Sequence, residues 1–160
     1  MVKSKEYMTL YRARGHGTDF ETVVKIPTVL GEVKVLVSTH TTQNKLPDKT
    51  LAKNRIYAHV DWHTGNISSM FFYDGEGGIK EQWNVGTGGK GHKHFGSTFH
   101  THHGLRHSRR RDSGRALKLS EVYIALKVNR QWRQYAQQNS QSLRRRLGPR
   151  GFDLSWTSST

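Results

Sequence analysis

The chain of 160 residues contains no cysteine, which excludes disulfide staples and thiolate-ligated zinc. It has no apolar run near the roughly 20 residues that cross a bilayer, so no membrane span is expected. The charges of residues 1–6 are followed by no apolar core, so this segment is not a signal peptide. A domain carried by a larger chain would need none of its own. Carboxylates are scarce in one part of the sequence. Residues 89–150 hold 15 basic side chains and two acidic ones, Asp112 and Glu121, a net of +13. Residues 1–88 hold 11 basic and nine acidic, a net of +2. Magnesium needs clustered oxygen ligands, so a two-metal nuclease is poorly served.

What is present fits one domain. Apolar residues make up 33% of the chain, and four Trp, six Tyr and six Phe supply large groups for a modest core. The strongly basic half points to a polyanion, with nucleic acid the natural partner.

Residues 6–85 are strand-rich. Alternation or β-branched runs mark strands at 8–13, 20–26, 33–37 and 55–62, with a turn around Leu30-Gly31-Glu32. Residues 38–54 are polar, contain Pro47 and form a loop. Turns at 63–66 and 74–78 separate further strands at 67–73 and 79–85, so residues 55–85 predict a three-stranded meander. A Gly/His-rich loop and strand follow at 86–103, with a short strand predicted at 97–102, then a basic loop at 104–118. A basic helix is expected over 120–147, with Ser120 as its N-cap and Glu121 in its first turn. Val122, Ala125, Leu126, Val128, Trp132, Tyr135 and Ala136 recur at helical spacing, and Leu143 and Leu147 continue the helix or start a second one. The expected architecture is a single α+β domain, an antiparallel sheet with a long C-terminal helix packed on it.

Six of the ten histidines fall within residues 89–111, "GKGHKHFGSTFHTHHGLRHSRRR". RNA brings its own nucleophile, the 2′-hydroxyl. Its cleavage needs a base, an acid and cations for the charge on phosphorus, but no metal. Histidine can fill either proton role near neutral pH, and arginine grips phosphate with a planar fork. His100 and His102 are the candidate acid–base pair, with His103 as substitute. Thr101, Ser97 or Thr98 could donate a hydrogen bond, and Tyr57 or Tyr73 could assist from adjacent strands. Arg106, Arg109, Arg110 and Arg111 would hold the phosphate. Lys90, Lys93, Lys127, Arg130, Arg133, Arg144, Arg145 and Arg146 would bind backbone further along the substrate. No cofactor is expected.

Two alternatives remain open at the level of residues. The basic half could serve a non-catalytic nucleic-acid-binding module, which needs no histidine. The two H-x-H pairs, His92/His94 and His100/His102, could instead ligate zinc in a hydrolase, completed by Asp61 or Asp112. His59 and His63, near a strand end, are expected to be packing residues. The H-x-T triplets at 16–18 and 40–42 are too short to weigh heavily. The glycine-rich loop at 86–91 lacks Walker spacing and no helix follows it.

The order Phe72-Tyr73-Asp74-Gly75, strand 79–85, glycine-rich loop, His100-x-His102 and basic residues resembles the small C-terminal nuclease domains of bacterial polymorphic and contact-dependent toxins. Some of these are barnase/EndoU/RelE-like ribonucleases. The resemblance covers about residues 55–111. It implies an antiparallel sheet with helices on one side, metal-independent cleavage of RNA, often tRNA, and an acidic immunity protein that blocks the basic cleft. A toxin of this kind would act in the cytoplasm.

Overall fold

A computed structural model of the chain describes residues 20–38, 53–61, 64–85, 99–103, 115–148 and 154–158; at Glu21, Ser38, His100, His102, His103 and Ser158 it describes the backbone alone. The described residues form an α+β domain. Its sheet has six strands in sequential order: β1 (Phe20–Thr28), β2 (Gly31–Ser38), β3 (Ile56–Val60), β4 (Ile67–Tyr73), β5 (Ile79–Asn84) and β6 (His100–His103). Two helices follow, α1 (Leu119–Gln138) and α2 (Ser140–Leu147), then a single 3-10 turn at Ser155–Ser158.

The sheet is mixed where an antiparallel one was expected. Four neighbouring pairs are antiparallel, but β2 and β3 run parallel, with Val33 opposite Ile56 and Leu36 opposite His59. A parallel pair needs a crossover of a dozen or more residues. The stretch from 39 to 55, most of it within the polar loop expected at 38–54, is long enough to supply one. The expected meander is present from β3 to β5. Asp74 closes its second turn, where its Oδ1 accepts from the backbone N–H groups of Glu76 and Gly78 at 2.8 and 3.0 Å.

One face of the sheet packs under the helices. Val33, Val35 and Val37 of β2, Ala58 and Val60 of β3, Met70 of β4 and Trp83 of β5 meet Ala125, Val128, Trp132 and Ala136 of α1 and Leu143 and Leu147 of α2. Leu126, counted with the apolar stripe in the sequence, is instead 40% exposed. The opposite face is also buried. Phe20, Leu36, Tyr57, Phe71, Tyr73 and Ile79 form a second cluster there, and Lys34, His59 and Gln82 are buried beside it. No helix among the described residues is long and apolar enough to cross a membrane.

Helix α1 starts one residue before Ser120, with Lys118 as its N-cap. Glu121 decides this. Its carboxylate accepts from the Lys118 backbone N–H at 2.7 Å, which makes Glu121 the N3 residue. The middle of the helix is pinned to the β3–β4 turn. The buried Trp132 indole donates to the Gly65 carbonyl at 2.7 Å, and Asn129 Oδ1 accepts from the Ile67 N–H at 2.8 Å. Arg133 donates to Asn66 Oδ1 at 2.7 Å and lies 4.4 Å from the centre of a Trp156 ring. Gly65 has φ +74 and sits against the Trp156 indole, so a Cβ at this position would collide with that ring.

Replacing Trp132 removes a filled core position and leaves the Gly65 carbonyl without its donor. Trp132→Ala is expected to lower the unfolding free energy by about 3–5 kcal/mol, whereas Leu126→Ala at the exposed position changes it by no more than about 0.5 kcal/mol. Urea denaturation followed by circular dichroism checks both.

Candidate functional site

The alternation of β-strands sorts residues onto two faces, and the register extends this across the sheet. On the face away from the helices, one cross-strand row runs Lys34, Tyr57, Phe71, Gln82 and position 102. The next row runs Leu36, His59, Ser69, Asn84 and position 100. The His100/His102 pair thus occupies two same-face register positions on β6, about 7 Å apart by strand geometry. The neighbouring positions on β4 and β5 are largely polar.

These polar neighbours are joined to one another. The Gln82 amide nitrogen donates to Asn84 Oδ1 at 2.7 Å, and the Ser69 hydroxyl donates to the same oxygen at 3.3 Å. Deeper in the sheet His59 is 2% exposed and meets Phe20 edge-on, ring centroids 6.1 Å apart. That contact agrees with the packing role expected for it.

Tyr73 and Thr101 lie in different settings from those a phosphate contact would need. Tyr73 is on the same face as position 102, but it is 3% exposed and stacks edge-to-face on Tyr57 at 5.6 Å within the second apolar cluster. Thr101 is on the helix-facing side, opposite Trp83, and is fully buried. Its Oγ1 accepts from the Arg115 N–H at 3.1 Å, and its own N–H donates to the Arg115 carbonyl at 2.7 Å. Together with the Leu117 N–H bonded to Phe99 O, these bonds lay residues 115–117 along the outer side of β6. Thr101 therefore serves as a strut for the strand that carries the histidines.

A second strut braces the same edge. The Arg115 guanidinium grips Glu121 with a fork, Nη1 to Oε1 at 2.6 Å and Nη2 to Oε2 at 2.8 Å, and approaches Glu81 Oε1 at 3.9 Å. Glu81 also accepts from the Trp83 indole at 3.0 Å. The hydrogen bond from Arg115 holds the Glu121 carboxyl below its ordinary value, outweighing the opposing effect of burial.

The cations expected to bind backbone divide into two groups. Arg133 is occupied by Asn66 and Trp156, and Arg144 donates to Thr157 Oγ1 at 3.2 Å. Arg146 is half-buried. Lys127, Arg130 and Arg145 are exposed and make no hydrogen bond or ion pair. The exposed side of α1 that carries Lys127 and Arg130 has no carboxylate, because Glu121 is turned to Arg115. Lys90, Lys93, Arg106, Arg109, Arg110 and Arg111 lie outside the described residues, as do His92 and His94 of the alternative zinc set. Among the described residues no three His, Asp or Glu side chains group as a metal site.

Lys34, Ser69, Gln82 and Asn84 were not singled out from the sequence. Alternation there marks one face as apolar and assigns the other to solvent, so a polar residue between two apolar ones is taken for surface. Comparison with family models, with curated proteins and with solved structures gives no match.

The fork has a pH signature. Glu121 titrates lower in the folded chain than its ordinary 4.5, so acid protonates the unfolded chain first. The contribution is complete above about pH 4.5 and is lost as pH falls through the lower folded value. Glu121→Gln is expected to cost about 1–2 kcal/mol at pH 7, a charge-assisted bond discounted for the partial exposure of Arg115. The cost shrinks toward pH 3. Urea midpoints of wild type and variant across that range check it.

Proposed function

We propose that the protein is a metal-independent ribonuclease in which β6 carries the acid–base pair. The observation that supports this most is the register of β6, which gives His100 and His102 same-face positions opposite Asn84 and Gln82, at the ends of two adjacent rows. The strand belongs to a chain half with a net charge of +13. One imidazole takes the proton of the 2′-hydroxyl as that oxygen attacks phosphorus. The other protonates the departing 5′-oxygen, and nearby guanidinium groups offset the negative charge of the phosphorane. The products are a 2′,3′-cyclic phosphate and a 5′-hydroxyl. No thiol or carboxylate cluster is required, in keeping with a sequence that has no cysteine and few acids here.

Lys127, Arg130 and Arg145, exposed and uncommitted, would track the backbone of the substrate away from the reacting phosphate. The acidic immunity protein implied by the resemblance to toxin nuclease domains would cover the same cationic surface. A non-catalytic binding module is the second reading. It draws on the carboxylate-free, exposed side of α1 and needs neither histidine.

Purified protein is expected to degrade total RNA in excess chelator, and His100→Ala or His102→Ala to slow this by about 10²–10⁴-fold. Equal RNA survival with wild type and both variants rejects the enzyme and favours the binding module. Lys127→Ala and Arg130→Ala are expected to weaken RNA binding and to flatten its salt dependence by about 0.7–1 each in log–log slope. Fluorescence polarisation over a salt series measures this. Arg133→Ala should instead lower stability.

A further inference from the structure

We propose that the outer face of α1 is a base-stacking platform for single-stranded RNA, with Tyr123 as the side chain on which an unpaired base lies. This rests on RNA being the partner, whether it is cut or only bound. It adds that the strand is unpaired where it meets the helix.

Helix α1 carries two stripes. Ala125, Val128, Trp132 and Ala136 are buried against the sheet. At 3.6 residues per turn, Leu119, Tyr123, Leu126 and Arg130 fall within about 60° of one another on the opposite side, and Lys127 lies next to them. All of these are exposed, Leu119 at 73% and Tyr123 at 66%. A single exposed apolar residue is ordinary. Three at helical spacing, on the face turned away from the core, are not explained by the packing of this helix. Among the described residues Tyr123 makes no hydrogen bond and no ring contact, so its ring is uncommitted.

The charge beside that ring has one sign. Lys127 and Arg130 stand about 6 and 10.5 Å further along the helix axis. The one acid of α1, Glu121, is bound in the Arg115 fork. Single-stranded nucleic acid is held by such a combination, in which cations follow the phosphates and bases stack on aromatic rings. A duplex offers its phosphates but keeps its bases stacked on each other. Lys127 and Arg130 therefore serve either form, whereas Tyr123 serves the single strand alone. The size of the patch agrees. From Leu119 to Arg130 it runs about 16 Å on a helix about 10 Å across, an area on the order of 200 Å². A stable protein partner covers roughly 800 Å² on each side. A helix that lies in a bilayer surface presents a broader apolar face than these three residues make.

The test measures binding of the full chain by fluorescence polarisation. The probe is a short labelled RNA, 2′-O-methylated so that it cannot be cut, used free and annealed to its complement. Tyr123→Ala and Tyr123→Leu are expected to weaken binding of the free strand about 5–150-fold. Affinity for the duplex and the salt dependence stay as in wild type, and Tyr123→Phe, which keeps the ring, binds as wild type does. Independently of any variant, wild type labelled with ¹³C at tyrosine is expected to show an upfield shift of the Tyr123 ring protons with the free strand and none with the duplex. Salt-dependent RNA binding with no Tyr123 shift, or with free strand and duplex weakened alike in Tyr123→Ala, overturns the platform and leaves RNA as the partner. Binding of neither probe at any salt overturns both. Phosphatidylserine vesicle binding or self-association that Tyr123→Ala abolishes, with affinity for the free strand unchanged, assigns the stripe to a membrane or to a second copy of the chain and overturns the platform.

Discussion

Trp132 is the point where this fold is fastened. Its indole is fully buried, donates to the Gly65 carbonyl at 2.7 Å and lies 6.2 Å from the Trp156 ring. One side chain thus ties helix α1 to the β3–β4 turn and to the C-terminal turn. The flanking residues Asn129 and Arg133 bond the same turn, so α1 can occupy only one position along the sheet. With α1 fixed there, its N-terminal approach runs beside β6, through the bonds of residues 115–117 to Phe99 and Thr101. The edge strand that carries the histidines is held by the same helix that closes the core on the other face.

This arrangement divides the positive charge of the chain between structure and solvent. Arg115, Arg133 and Arg144 are each spent on a carboxylate, an amide or a hydroxyl, and Arg133 also on an aromatic ring. Lys127, Arg130 and Arg145 remain in water. A cation already bonded to protein has less to offer a phosphate, so net charge alone overstates the binding surface. The fork of Arg115 on Glu121 has a further effect: it removes from the surface of α1 the one acid in its first turn, which would repel a polyanion.

Much of the fold was legible because local signals and tertiary structure agreed. Strand β4 runs from Ile67 to Tyr73 as its pattern predicts, bounded by turns whose Asp and Gly residues act locally. The spacing of Ala125, Val128, Trp132 and Ala136 gave the buried stripe of α1. The features that escaped depend on partners distant in sequence. The parallel pairing of β2 with β3 is set by how the chain returns, which neither strand encodes. The start of α1 turns on Glu121 reaching back to Lys118 and Arg115, where Ser120 alone was the expected cap. Burial of both sheet faces hid Gln82 and Lys34, since an alternating strand does not reveal that its polar side is also covered. Thr101 looked available to a substrate because it lies between two histidines. The same alternation that gives those histidines one face sends Thr101 to the other.

The central claim is that one imidazole taking a proton from RNA's own 2′-hydroxyl nucleophile and another giving one to the leaving 5′-oxygen, with guanidinium groups beside the phosphate, suffice for this chemistry. The most direct measurement is the chemical identity of the cut ends, read by ³¹P NMR or mass spectrometry on a short oligonucleotide cleaved in excess chelator. The account predicts 2′,3′-cyclic phosphate and 5′-hydroxyl termini, and no cutting where a single 2′-deoxy sugar replaces the ribose at the cleavage position. Termini carrying 3′-hydroxyl and 5′-phosphate, or cutting at the deoxy position, would contradict it.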